Sequence, residues 1–224
     1  MIKEELIAKS PVRVFMKAIG DGLKAGEVGI VASPSGLGKT SVLVQIALDK
    51  LLQGKKVIHV SFTKYQDHVL AWYDNLFEES VGKKNLEDLN EVKDELVRNR
   101  VFLKFTQDGV KVEQILHTIK ALVTAGEFDA KTIIVDGFDF NEGDNQDRLQ
   151  KVRDFGKEYG LAFWYSCNTT DGAPFKAFEN LIDVIVALEP QKNYIKLDIV
   201  KDRATMHPDT PELKLDTKSL LLLA

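Results

Sequence analysis

Short apolar segments alternate with longer amphipathic segments along most of the chain. Residues 28–32 read Val-Gly-Ile-Val-Ala, an uninterrupted run typical of a strand buried on both faces. Residues 40–52 carry apolar side chains around most of a helical circumference, which predicts a largely buried helix. The same two patterns predict further strands at 56–62, 101–105, 131–135 and 161–167, and further helices at 66–79, 86–98, 112–123 and 146–159.

The order of these elements predicts an α/β fold. Strands that alternate with helices form a mainly parallel, twisted sheet with helices on both faces. The end of the chain changes character, because 183–188, 194–201 and 219–223 are strand-like with few helices between them. We therefore expect antiparallel strands at the C-terminal edge of the sheet. No repeat or low-complexity linker is visible, so a single domain over residues 1–224 is predicted.

The turn after the first predicted strand has the residue types of a phosphate-binding loop. Ser33-Pro34-Ser35-Gly36-Leu37-Gly38-Lys39-Thr40 matches the Walker A pattern at its last three positions, but Ser33 replaces the first glycine. That serine restricts the turn only if a positive φ is needed there. Glycines let backbone N–H groups face an anion, and the helix start adds its positive end. The cofactor-binding residues predicted on this basis are Ser35, Gly36, Leu37, Gly38, Lys39, Thr40 and Ser41.

Within that loop, the chemistry assigns separate roles to two side chains. Lys39 is expected to reach the β- and γ-phosphates as a catalytic cation, and the Thr40 hydroxyl to bind Mg²⁺. A Gly-Lys-Thr tripeptide can also arise by chance. The buried strand before it and the buried helix after it favour the phosphate-binding interpretation.

An acidic residue at the end of a later strand is the second element of the predicted site. Thr132-Ile133-Ile134-Val135-Asp136 has the form of a Walker B strand, which we expect to lie beside the first strand. A carboxylate there faces the loop threonine and holds Mg²⁺, usually through water. Thr40 and Asp136 are therefore the predicted metal ligands. The alternative is an ordinary strand that ends in an Asp136-Gly137 turn.

Four blocks of the sequence resemble the RecA-like ATPases, in particular the branch of DnaB helicase, RadA and KaiC. They are residues 26–40, 57–62, 132–136 and 199–203, and they span most of the chain. The resemblance implies a RecA-like P-loop NTPase fold, ATP and Mg²⁺ as cofactors, and a homo-oligomer such as a hexamer. In that family a late lysine and arginine reach the nucleotide of a neighbouring subunit, which implies catalytic roles in trans for Lys201 and Arg203.

Lys201 and Arg203 stand two apart on a predicted strand, so their side chains are expected to share one face. Cations there can stabilise the charge that develops on a γ-phosphate. The alternative is a solvated edge strand whose positive charges discourage aggregation.

The resemblance fails at the residue that orients the attacking water. The family carries a glutamate just after the second strand, where this chain has Thr63 followed by Lys64. A threonine is a poor base at neutral pH, so hydrolysis is expected to be slow or absent. Asp67, one helical turn later, is a possible substitute. Asn168 ends the strand where the family has a polar sensor, and an ordinary turn explains it equally well.

Charge and composition limit the partners. Lys and Arg number 30 against 34 Asp and Glu, which gives a net charge of −4 and no support for nucleic-acid binding. Residues 137–146 and 169–180, which follow two strands of the predicted site, are acidic and contain four phenylalanines expected to pack on the domain or on a protein partner. Trp72 and Tyr73 are assigned to the core. Cys167, the one cysteine, is expected to be buried and inert.

No apolar run approaches the length of a membrane span, and the first residues lack the apolar core of a signal peptide. A cytoplasmic protein with no membrane partner is therefore expected. The leading hypothesis is an oligomeric, RecA-fold ATPase that binds MgATP and hydrolyses it slowly or not at all. The alternative is a non-hydrolysing scaffold or signalling module that binds a protein through its acidic, phenylalanine-bearing loops. A small-molecule phosphotransferase is a third option, with no identifiable acceptor site.

Overall fold

The computed structural model of the protein describes residues 2–62, 66–81, 86–106, 111–141 and 143–223. The helices in these ranges are α1 Ile2–Lys9, α2 Pro11–Ala18, α3 Lys39–Leu52, α4 Gln66–Val81, α5 Leu86–Arg98, α6 Val112–Thr124, α7 Asn145–Tyr159 and a 3₁₀ helix, Pro174–Leu181. The strands are β1 Val28–Ser33, β2 Lys56–Ser61, β3 Arg100–Lys104, β4 Ala130–Asp136, β5 Ala162–Asn168, β6 Val184–Pro190, β7 Tyr194–Asp202, β8 Thr205–Met206, β9 Leu213–Asp216 and β10 Leu222–Leu223.

Within the described residues, ten strands form one sheet in the order β10-β9-β7-β6-β1-β5-β4-β2-β3, with β8 paired to β7. The strands from β6 to β3 in that order run parallel. The pairings of β7, β8, β9 and β10 are antiparallel. The predicted α/β fold, with a mainly parallel sheet and antiparallel strands at the C-terminal edge, is confirmed.

Helices cover both faces of the sheet, and the central strand β1 is buried throughout. Successive side chains of a strand point to opposite faces. Val31 accordingly packs in a core with residues from α1 to α5, whereas Ile30 and Ala32 pack in a second core with residues from α6, α7 and the 3₁₀ helix. Burial on both faces explains why the strand is an uninterrupted apolar run in the sequence.

Some elements differ from the sequence prediction. The helices α1 and α2 precede the first predicted strand, and α2 buries Val12, Phe15 and Met16 against the core. The expected strand at 219–223 is confined to Leu222–Leu223 and pairs with β9, which was not predicted. None of the described helices is both long enough and apolar enough to cross a membrane.

Candidate functional site

The glycine-rich loop, residues 33–40, connects the end of β1 to the start of α3. Gly36 and Gly38 have φ angles of 85° and 90°, a region that side chains with a Cβ rarely occupy. A Cβ added to Gly38 would lie 2.8 Å from Leu215 Cδ2, so the Leu215 side chain would have to shift to accommodate it. Ser33 is the last residue of β1, where the backbone is extended, so the missing first glycine imposes no strain. Gly38 caps α3 without a side-chain hydrogen bond.

The side chain of Lys39 folds back onto this loop. Its Nζ donates to the carbonyl oxygens of Ser33 and Pro34, each at 2.8 Å, and to Ser33 Oγ at 3.3 Å. Burial lowers the pKa of Lys39, and the nearby Cys167 and Asp136 oppose that change. A half-buried ammonium whose hydrogen bonds go to neutral oxygen atoms would gain from binding an anion.

The predicted metal ligands lie in contact. Thr40 Oγ1 donates to Asp136 Oδ2 at 2.9 Å, across 96 positions of sequence. Asp136 ends β4 and is only 2% exposed. Burial raises the pKa of Asp136, while hydrogen bonds from Ser166, Thr40 and the backbone of Gly137 and the charge of Lys39 act in the opposite direction. The carboxylate is therefore a buried group whose charged form would be stabilised by a nearby cation.

The strand that carries Asp136 is not adjacent to β1, so the prediction that they lie side by side is wrong. β5 lies between them and pairs with β1 on one side and with β4 on the other. The intervening strand adds Ser166 to the site, and its hydroxyl accepts the backbone N–H of Gly137 at 2.7 Å. Hydrophobic pattern alone does not specify the order of strands in a sheet, because neighbours are set by long-range contacts.

Asn168, at the end of β5, organises the following turn. Its Oδ1 accepts from the backbone N–H and the hydroxyl of Thr170, at 3.2 and 2.7 Å. The Thr170 hydroxyl in turn accepts the backbone N–H of Ser35 at 3.0 Å. The turn interpretation of Asn168 therefore has direct structural support, and the turn is tied to the glycine-rich loop.

A cavity of about 650 Å³ opens beside the glycine-rich loop and the end of β4. Asp136, Asp139 and Asp171 line it together with Lys39, and the remaining wall includes Trp72 and other residues from four segments. Three carboxylates repel a bare polyphosphate, so this cavity favours an anion that arrives with a divalent cation. Within the described part of the chain, there is no cluster of three or more His, Cys, Asp or Glu that could hold a metal alone.

Lys201 and Arg203 lie level with the start of β1, whereas this cavity lies at the end of β1. Asp202 pairs with Val184 of β6, and Val184 is level with Gly29 near the start of β1. The remaining length of β1 up to the glycine-rich loop spans roughly 13 Å. Neither cation can therefore serve the cavity of its own chain.

Both cations are engaged within the chain. Arg203 has a φ of 54° and lies in the turn between β7 and β8, so the prediction that it shares a strand face with Lys201 is wrong. Its guanidinium donates to both carboxylate oxygens of Glu27, at 2.9 and 2.7 Å, and to the carbonyl oxygens of Ile19 and Gly22, at 3.1 and 3.0 Å. Lys201 Nζ donates to two carbonyl oxygens around the end of the 3₁₀ helix, at 2.6 and 2.7 Å.

Several other expectations concern side chains around the site. Phe140 and Phe178 are each 4% exposed, and Phe138 and Phe175 pack partly buried against the same core, as expected for packing on the domain. Cys167 is buried, and burial raises the pKa of its thiol to about 12, consistent with an inert residue. Thr63, Lys64 and the side chain of Asp67 lie outside the described residues.

Several residues that line the cavity were not assigned to the site from the sequence. Of the two residues assigned to the core, Tyr73 is buried, and Trp72 is half-buried, packs against the same core and also lines the cavity. Ser166 and Leu220 also line it. Ser166 directly precedes the end of an apolar strand, and that position was the one available sequence signal.

A scan against protein-family models finds no matching family, and a search of curated proteins finds no significant relative. Function is therefore inferred from the site itself.

Proposed function

We propose that the protein binds a magnesium–nucleoside triphosphate, with ATP as the expected nucleotide, at the glycine-rich loop. The observation that carries this proposal is the contact between the Thr40 hydroxyl and the buried Asp136 carboxylate, at 2.9 Å, beside a cavity that Lys39 also lines. The Thr40 hydroxyl and the Lys39 ammonium, at the start of α3, line the same cavity as the Asp136 carboxylate, which lies 96 positions after Thr40 in the sequence. This is the residue combination that phosphate and Mg²⁺ binding require.

The phosphate groups would be held mainly by the backbone. The backbone from Ser35 to Thr40 leads into the start of α3, where the unpaired donors of the first helical turn add a positive field. Lys39 would exchange its contacts with Ser33 and Pro34 for phosphate oxygens, replacing neutral acceptors with charged ones. The Ser35 N–H would exchange the Thr170 hydroxyl for a phosphate oxygen in the same way.

The donors present suit Mg²⁺ bound together with phosphate. Thr40 and Asp136 offer hard oxygen ligands, and Mg²⁺ commonly uses one or two protein groups, with water and phosphate filling its other positions. Asp136 is buried with a raised pKa, so a cation would relieve the cost of its charge. When bound, the ion would neutralise phosphate charge between the β and γ positions.

The same proposal includes a RecA-like assembly in which each chain contributes to its neighbour's site. Because Lys201 and Arg203 lie far from the cavity of their own chain, any role in catalysis must be in trans. Their present hydrogen bonds to Glu27 and to backbone carbonyls would have to be shared or exchanged. Slow hydrolysis follows from these engaged cations and from Thr63 at the position of the family's glutamate.

A second candidate is a nucleotide-binding scaffold that does not hydrolyse ATP. The in-chain contacts of Arg203 favour it, because a guanidinium with its donors satisfied is not free to stabilise a transition state. The phenylalanine-bearing loops offer this candidate little surface, since Phe140 and Phe178 are buried. Steady-state phosphate release distinguishes the two candidates. If the wild-type protein turns over ATP and Lys39→Ala abolishes that turnover, the scaffold candidate is refuted.

Isothermal titration calorimetry with MgATP and MgADP tests the binding proposal. The wild-type protein should bind both, and Lys39→Ala should weaken MgATP roughly 10- to 100-fold through the loss of charge-assisted hydrogen bonds. Lys131→Ala is a matched control, because Lys131 is an exposed lysine at the other end of β4. Absence of binding to folded wild-type protein at millimolar ligand would refute the proposal. An equal loss of MgATP affinity in Lys39→Ala and Lys131→Ala would refute it as well.

A further inference from the structure

The geometry points to a separate binding site for a small organic cation with an apolar chain, in a cavity beside the C-terminal half of α3. This α3 cavity has a volume of about 310 Å³ and is lined by residues from α1, α2, α3, α4 and β10. Its charged wall residue, Asp49, lies ten positions after Lys39 on α3, which corresponds to about 15 Å along the helix. Among the described residues, no side chain lines both this cavity and the one at the glycine-rich loop, so the inference does not rest on the proposed function.

Asp49 is a buried carboxylate with one oxygen atom left without a donor. Its side chain is 1% exposed, and carboxylates are rarely buried to that extent unless they are fully paired. Arg13 Nη1 donates to Asp49 Oδ2 at 3.3 Å, and Gln53 Nε2 donates to the same oxygen at 2.7 Å. Asp49 Oδ1 has no hydrogen-bond partner among the residues that the structure describes. A donor brought by a ligand would therefore relieve the cost of burying this oxygen.

The positions of the two existing donors indicate which oxygen of Asp49 is left for a ligand. Asp49 lines the α3 cavity, whereas Arg13 and Gln53 are not among the described residues that line it. Oδ2 is thus engaged by donors that lie outside the cavity wall, and Oδ1 is the oxygen left for the cavity side. Because the side chain is shielded from bulk water, a partner for Oδ1 has to come through the cavity.

The charge of the wall selects a cation. Glu5 and Glu79 line the α3 cavity together with Asp49, and no Lys or Arg is among the described residues that line it. Three carboxylates repel an anion and attract a cation. A metal ion such as Ca²⁺ requires at least six oxygen ligands, and the described part of the chain holds no cluster of carboxylates, His or Cys able to bind one. An organic ammonium ion, which needs fewer acceptors, suits this wall better.

Much of the remaining wall is apolar, which determines what the cation carries. The apolar side chains of the wall include Leu48, Leu52, Leu76, Phe77 and Leu222. Water alone would supply a donor to the free carboxylate oxygen but would leave these side chains hydrated. An alkyl chain replaces that water, while its ammonium group donates to the carboxylate. A volume of about 310 Å³ is at the lower end of the range for ligand pockets, so the expected ligand is small.

Isothermal titration calorimetry with hexylammonium, hexanol and hexanoate tests the site, because the three probes share one chain and differ in charge. Hexylammonium should bind the wild-type protein roughly 10- to 100-fold more tightly than hexanol, through its charge-assisted hydrogen bond, and hexanoate should bind most weakly. Asp49→Asn keeps the shape of the side chain and should remove the advantage of hexylammonium over hexanol. Glu158→Gln, at an exposed position of α7 outside the cavity wall, is the matched control and should preserve it. Thermal unfolding checks that each variant is folded.

Several results would overturn this inference while leaving MgATP binding at the glycine-rich loop untouched. They are no binding of hexylammonium to wild type at millimolar concentration, equal affinity for hexylammonium and hexanol, and an Asp49→Asn variant that still prefers hexylammonium. If Asp49→Asn does not fold, the three probes on wild type decide the question. Magnesium tripolyphosphate should leave the affinity for hexylammonium unchanged. Competition between the two would place the amine at the glycine-rich loop and refute a separate site.

Discussion

Replacing Thr40 with valine tests the contact at the centre of the site without any ligand. The substitution keeps the branched shape of the side chain and removes the hydroxyl that donates to Asp136 Oδ2 at 2.9 Å. Asp136 is 2% exposed, so water cannot readily replace the lost donor. A hydrogen bond to a buried charged group contributes about 1.5–3 kcal/mol, which corresponds to a fall in Tm of about 3–12 °C for a chain of this size. Thr40→Ser keeps the hydroxyl and is the matched control.

The destabilisation should depend on pH with a defined sign. Burial raises the pKa of Asp136, and the Thr40 hydrogen bond lowers it, so removing that bond raises the folded-state pKa further. The cost of Thr40→Val should be complete above the folded-state pKa of Asp136 and shrink as pH falls through it. Urea unfolding of wild type and both variants at several pH values measures this difference. Equal stability of wild type and Thr40→Val near neutrality, or a Thr40→Ser variant as unstable as Thr40→Val, would refute the reasoning.

Three further predictions concern the same framework. Gly38→Ala should destabilise the protein by about 1–3 kcal/mol in thermal unfolding, because its positive φ and the 2.8 Å approach to Leu215 both disfavour a Cβ; an unchanged Tm would contradict the loop geometry. Arg203→Gln should lower Tm through the loss of its pair with Glu27, whereas lower ATP turnover at unchanged Tm would instead indicate a role in trans. MgATP affinity should fall as pH is lowered toward the raised pKa of Asp136, since protonation removes the metal-binding carboxylate; calorimetry across pH showing a flat profile would count against that ligand.

The sequence was most informative where one local pattern sufficed. The apolar runs of β1 and β4 placed two parallel strands, because strands buried on both faces tolerate few polar residues. The residue types of the glycine-rich loop placed Lys39 and Thr40 at the start of α3, since turn and helix start are both local features. From these two elements the contact between Thr40 and Asp136 followed.

The sequence was least informative where the decisive contact is long-range. β5 separates β1 from β4 through pairings that no local pattern specifies. Arg203 resembled a strand residue with a free cation, yet Glu27, at a distance of 176 positions, holds it in a turn. Trp72 was indistinguishable from its buried neighbour Tyr73, because both fit a helical apolar stripe and only the assembled fold places one of the two rings beside a cavity.

A crystal structure of the protein soaked with a non-hydrolysable MgATP analogue tests the central claim most directly. The account predicts triphosphate density inside the glycine-rich loop, Mg²⁺ beside Thr40 and Asp136, and Lys39 Nζ turned from the carbonyl oxygens of Ser33 and Pro34 onto a phosphate oxygen. Density for the analogue at another place on the molecule, with Lys39 still bonded to its own loop, would contradict it.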